Sequence, residues 1–288
     1  MDLSSTEVFP QLLVAVGTAL LVYIIFMVAE ILYKAYLSYG SQRVEVYPYT
    51  GSSSKSISFK QDPKNTANIV LPFSDNQMTG IEFSYSAFIY ISDDTQDSTG
   101  VEGWKTIFYK GYETGPFPLC APGVFVSNNP SNKGPVLRVV MNTYKTWYNT
   151  VDVAQIPFNK WFHLAIVLRN NSLEVYVNGN LANKLSFNGT LPYQNYQSLN
   201  LFSNARSGPA TEFTSTNTTT KKTIPAGDNF NVIGKFSGYI SSLTYFSYAI
   251  SYSEIQKALT VGPSSKFDQS AMDKPPYLID SWWTQRKA

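Results

Sequence analysis

The hydrophobic and polar positions divide the chain near residue 50. From Leu12 to Ala29 the sequence reads LLVAVGTALLVYIIFMVA, without a charge. An α-helix rising 1.5 Å per residue crosses a hydrocarbon core of about 30 Å with roughly twenty such residues, and Val8, Phe9, Ile31 and Leu32 lengthen the run. This predicts a short segment over 1–11 and a transmembrane helix with its extension over 12–37, marked by Leu12, Leu20, Ile25 and Ala29. Gly and Ser then crowd into SYGSQRVEVYPYTGSSSKS, so 38–56 reads as a linker. Beyond it the period changes to two. IEFSYSAFIYI (81–91) alternates as a half-buried strand does, and similar segments recur at 106–109, 123–126, 136–141, 147–153, 161–168, 173–177, 199–202 and 236–246. Turn signals such as NNPSNKG, RNNS, VNGN and FNGT separate them, Asn178-Gly179 being the sharpest hairpin signal. Only 252–259 looks helical, with Ser253 as its N-cap.

The flanks of the apolar run decide between a cleaved leader and a retained anchor. A signal peptide carries basic residues before a shorter apolar stretch and a small-residue cleavage site after it. Here MDLSSTEVFPQ has neither Lys nor Arg, and the run continues into Glu30-Ile31-Leu32-Tyr33-Lys34, so a retained anchor is expected. Basic residues follow the run (Lys34, Arg43, Lys55, Lys60), which places the C-terminal domain on the cytosolic side by the positive-inside rule. A single cysteine, Cys120, cannot close an internal disulfide, in keeping with that side. The sequons at Asn170, Asn188 and Asn217 would matter only in a lumen.

Composition narrows the classes further. Charged residues are 15% of the chain and aromatics another 15%, with net charge +2, so no basic field calls for nucleic acid. Many short strands with polar turns predict a mainly β protein, an antiparallel two-sheet jelly-roll sandwich over 57–262, followed by a Pro/Trp-containing tail over 263–288.

Two stretches carry a family resemblance. PFNKWFHLAIVLRNNSLEVYVNGNLANKLSF (157–187) resembles the signature hairpin of laminin-G-like and pentraxin-like domains of the concanavalin A-like lectin/glucanase superfamily, through Trp161, His163, Tyr176, Val177, Asn178 and Gly179. FSGYISSLTYFSYAISYSEIQKAL is similar to that family's closing strand and short helix, through Phe236, Gly238, Ile240, Ala249, Ile250, Ser251, Glu254 and Ile255. The resemblance implies the concanavalin A-like sandwich and leaves function open. On neighbouring strands, Trp161 and Tyr176 are expected to point into the inter-sheet core.

Candidate chemistry is sparse. His163 is the one histidine, has no motif partner, and reads as a packing residue. Glucanase relatives imply a Glu-x-Asp-x-x-Glu strand; that pattern is absent, and Glu174 stands alone, so no catalysis is expected. Ca²⁺, which many domains of this fold hold, has one acidic cluster to meet it, Asp93, Asp94 and Asp97; without the EF-hand pattern, a solvated loop is the better reading and no cofactor or metal is expected. Ligand-binding aromatics are sought among Trp104, Tyr112, Trp147 and Tyr148, with Tyr193 and Tyr196 beside them. In the tail, Tyr277, Trp282 and Trp283 follow Pro275-Pro276 and suit a partner-binding segment.

Two functions of different class follow. One is a structural tether, in which the anchor sits in a bilayer and the sandwich docks a protein layer. Membrane-anchored laminin-G-like proteins of large double-stranded DNA viruses resemble this chain in composition and in the Pro-Pro-Tyr…Trp-Trp ending, which implies a minor capsid protein linking an internal virion membrane to the capsid. The other is a membrane-anchored lectin that binds glycans for adhesion.

Overall fold

The computed structural model describes residues 5–74, 81–96, 102–116, 119–128, 135–187, 189–206 and 230–268. Tyr277, Trp282, Trp283, Asp97, Asn188 and Asn217 lie outside them. The chain divides into two compact units, 1–43 and 44–288.

The first unit is helix α1 (Ser5–Gln42). Its stretch Pro10–Lys34 is long and apolar enough to cross a membrane and none of it is buried. Leu12, Leu20, Ile25 and Ala29 all lie on it, exposed. Apolar side chains occupy every side rather than one stripe, so the helix has no preferred face to bury against a protein core. Glu30 and Lys34 pair at 2.6 Å at its exposed end, a contact of small energetic value.

The second unit begins with β1 (Arg43–Ser52), β2 (Ile57–Phe59), β3 (Phe83–Ile91), β4 (Gly103–Lys110), β5 (Gly123–Asn128) and β6 (Leu137–Met141). There follow β7 (Asn149–Val153), β8 (Trp161–Arg169), β9 (Ser172–Val177), β10 (Asn180–Ser186), β11 (Leu199–Leu201), β12 (Val232–Lys235), β13 (Gly238–Phe246) and helix α2 (Tyr252–Val261). The first sheet has the order β1-β13-β3-β8-β9-β10 and the second β2-β11-β4-β5-β6-β7. The described ladders are antiparallel except for β12, which runs parallel to β4, and Thr50 makes an isolated parallel bridge to Phe267.

Period-2 alternation builds the core between the sheets. Phe83, Tyr85, Ala87, Ile89 and Ile91 face inward from β3, and Phe162, Leu164, Ile166 and Leu168 from β8. Phe108, Val124, Val126, Val139 and Met141 meet them from the second sheet. Each Val, Leu, Ile, Phe or Met among them stabilises the fold by about 1.5–3 kcal/mol through burial. Antiparallel order also sorts the connections: those after β2, β4, β6, β8 and β10 gather at one end, and those after β1, β3, β5, β7 and β9 at the other. Ser53 at the close of β1 donates to the Gly238 carbonyl at the opening of β13, so β1 enters the sheet at the first of these ends.

Three expectations are corrected. The supposed linker over 38–56 contains β1, because an edge strand tolerates Pro48 where a central one would not. The supposed tail begins within the fold: Thr50 N donates to Lys266 O (2.7 Å), Asp268 N donates to Thr50 O (3.0 Å), and Tyr47 OH donates to Asp268 Oδ2 (2.8 Å). The N-cap of α2 is Ser251, not Ser253; its hydroxyl accepts from Glu254 N while the Glu254 carboxylate accepts from Ser251 N, a complete capping box.

Candidate functional site

The hairpin β9–β10 turns at Asn178-Gly179, both with positive φ (50° and 79°), as a two-residue turn of this hand requires. Asn178 Oδ1 accepts from His163 N at 2.9 Å, and Asn178 N donates to His163 O at 2.9 Å, locking the turn to the strand. Gln256 on α2 reaches the Gly179 carbonyl, and a Cβ at Gly179 would meet that amide nitrogen at 2.4 Å. Gly238 is as constrained: its φ is 153° and a Cβ would fall 2.0 Å from Tyr90 O. Phe236 stacks on Phe202 in the core at 5.8 Å. These signature residues build the hairpin and the core.

His163 is buried on the outer face of the first sheet. Its Nε2 lies 2.8 Å from Ser86 Oγ, its ring contacts Phe88, and Nδ1 has no partner. Burial pushes its pKa down to about 4, so it is neutral near pH 7. Among the described residues no carboxylate or thiol pairs with it, and the arrangement has the form of a packed histidine rather than a general base.

Trp161 and Tyr176 do not enter the inter-sheet core. Both share strand parity with His163 and stand on the outer face, because Phe162 and Val175 take the inward positions. Trp161 joins a row across β8, β3 and β13: Tyr90 lies 5.7 Å from Trp161 and 5.8 Å from Tyr239 between ring centroids. Trp161 remains 36% exposed, so this row presents ring surface to solvent. Cross-strand register (Tyr239↔Tyr90↔Trp161) creates it, and the sequence alone offers no sign of that register.

Tyr176 donates to Glu174 Oε2 (2.9 Å), while Lys184 holds Oε1 (2.9 Å). Burial raises the Glu174 pKa, and the bonds from Lys184 and Tyr176 outweigh it, keeping the carboxyl below its ordinary value. Its partners are thus a cation and a phenol, not the second carboxylate that glycoside hydrolysis needs.

The four aromatics Trp104, Tyr112, Trp147 and Tyr148 do not form one site. Arg138 unites two of them on the outer face of the second sheet, its guanidinium 4.0 Å from the Trp104 ring centroid and its Nη1 donating to the Tyr148 hydroxyl at 2.8 Å. Asp152 takes the remaining guanidinium edge in a bidentate pair at 2.7 and 2.6 Å. Phe230 then closes this cluster, packing on Tyr148 and Phe125. Tyr112 stands apart and exposed, and the Trp147 carbonyl accepts from Asn142. Tyr193 and Tyr196 lie on the loop after β10, paired with Tyr144 and Phe73.

Asp93 and Asp94 sit on a single 3-10 turn (Asp93–Thr95), where the Asp93 carboxylate accepts from the Asn159 amide and Asp94 is exposed. Among the described residues no group of three or more His, Cys, Asp or Glu is placed to hold a metal ion.

Residues 63–215 match the concanavalin A-like lectin/glucanases superfamily, in its laminin-G form. No curated protein matches the sequence. Similar solved structures include the receptor binding domain of botulinum neurotoxin D (12% identity, 77% of this chain and 53% of that one, TM-score 0.44). The receptor binding domain of the botulinum neurotoxin C/D mosaic serotype is another (14%, 63% and 36%, TM-score 0.40). The binding domain of Paraclostridial Mosquitocidal Protein 1 is a third (13%, 75% and 47%, TM-score 0.40). This chain therefore spans about a third to a half of the length of those structures.

Proposed function

The chain belongs to the concanavalin A-like lectin/glucanases superfamily, and from that membership we propose a non-catalytic, membrane-anchored protein whose sandwich docks a protein partner. One observation carries the reading: a helix apolar on every side, with none of Pro10–Lys34 buried, runs on to Gln42, and the sandwich opens at Arg43. Such a helix finds its solvent in lipid, and the domain works from the membrane surface. The absence of catalysis is supported by Glu174 and His163, whose partners leave neither a paired acid and base nor an activated nucleophile. In its specific form the partner is a capsid layer over an internal membrane, a reading supported by the sequence resemblance, with the domain on the cytosolic side by the charge after the run.

The test expresses the full chain in a membrane system. Resistance to alkaline extraction and an unglycosylated, protease-accessible domain are expected, followed by crosslinking of the partner. A chain released by alkali would overturn the anchor, and glycosylation at Asn170 would reverse the orientation.

A second reading, a membrane-anchored lectin, is favoured by the Tyr239–Tyr90–Trp161 row, since sugar faces stack on such rings. Glycan-array binding that disappears in Trp161→Ala while the fold persists would establish it.

A further inference from the structure

Exposed large apolar side chains occur singly on strands and on α2 (Tyr49, Trp161, Leu181, Tyr252, Val261), but those on the connections between strands are not scattered. Among the described connections between strands, the large ones are Val70, Phe73, Tyr112, Tyr144, Leu191 and Tyr196, and every one lies on a connection after β2, β4, β6 or β10. All six therefore stand at the end where β1 enters, and the described connections of the opposite end carry none. Tyr196 is 71% exposed and Tyr144 62%, far beyond what core side chains at a frayed edge would show.

These side chains are held outward by a built frame. Phe73 and Tyr196 stack at 4.0 Å, and Tyr144 and Tyr193 meet edge-on at 5.2 Å. Backbone bonds tie the two loops together, with Tyr144 N donating to Leu191 O and Tyr193 N to Asn142 O. Gln194 anchors the loop to the interior, accepting from Ser74 N and donating to the Tyr245 hydroxyl. The loop itself, residues 187–198, contains no charged residue.

We propose that this end of the sandwich is a lipid-binding surface, seated in the headgroup region of the bilayer that holds α1. The inference rests on the anchor reading, because residues 35–42 are all the chain between the apolar stretch and β1. Tyr rings, apolar in body and polar at the tip, prefer the boundary between hydrocarbon and water, and an uncharged loop enters that boundary without desolvating an ion. A set of exposed apolar side chains gathered at one end of the domain is accounted for by that surface.

The test uses the full chain in phosphatidylcholine vesicles, with one added cysteine carrying an environment-sensitive fluorophore. Leu191→Cys reports the proposed surface, Leu181→Cys on exposed β10 the opposite end, and Ile25→Cys the anchor; native Cys120 is buried. With spin-labelled headgroups, the label at 191 is expected to lose most of its fluorescence and the label at 181 little, while acyl-chain spin labels quench the label at 25. Quenching at 25 with no more at 191 than at 181 would overturn the proposal and leave the anchor standing. Shielding of 191 from aqueous iodide without lipid quenching would assign the surface to a protein and overturn it equally. An unquenched label at 25 would remove the anchor and the proposal with it.

Discussion

On the outer face of the first sheet, apolar cover comes from the end of β13 and the helix that follows it; on the second sheet it comes from the short strand β12 and the residues leading into it. Phe246, Ile250 and Ile255 close over Ala165 and Val167, and a capping box fixes where α2 starts. Over the second sheet, Phe230 and Val232 meet Phe125 and Val140, and an Arg138–Asp152 pair with two aromatics borders the patch. Both covers lie far along the chain from the strands they pack on, but the first contains a helix with its own start signal and the second has no such local element. The difference makes the second face the more exposed to single substitutions.

The largest effect is expected at Phe230→Ala, which removes a fully buried ring from the cover of the second sheet. A loss of about 3–5 kcal/mol should appear in denaturant unfolding. Next comes the histidine of the first face. Its folded pKa, about 4, lies below the unfolded value of 6.5, so the unfolded chain binds the proton first and stability falls as pH drops from about 6.5 to 4. The fall amounts to about 3 kcal/mol, and His163→Gln should flatten that part of the profile. Asp152→Asn removes the negative charge that faces the buried guanidinium of Arg138. Its cost is about 1–2 kcal/mol, discounted because the Asp152 side chain is 41% exposed, and Arg138→Met in the same chain should recover part of it. The smallest change, Ser251→Ala, costs about 1 kcal/mol by opening the capping box; a neutral result would show that packing alone holds α2 in place.

What the sequence made readable follows the same division. The apolar run, the Asn178-Gly179 hairpin, the 81–91 strand and α2 are local signals, and each element is present in the structure. Trp161 faces outward against expectation because β8 is buried on both faces, so WFHLAIVLR shows no alternation from which parity could be taken. β1 hides behind Pro48 and Gly51, and the short β2 and β12 exist through their partners rather than through any pattern of their own. The Arg138 cluster and the Tyr239–Tyr90–Trp161 row depend on register between distant strands, which no window of sequence contains.

The bonds that lay residues 266–268 along β1 have a meaning for crowding. Chains confined to a plane meet at concentrations that solution never reaches, and unpaired strand edges are where such neighbours would fuse into a continuous sheet. One edge of the first sheet is occupied by the protein's own backbone at Thr50. The other, β10, carries a bulge between Leu181 and Asn183 and the charge of Lys184, both of which frustrate a flat partner. The domain is thereby equipped to stand shoulder to shoulder with copies of itself without polymerising.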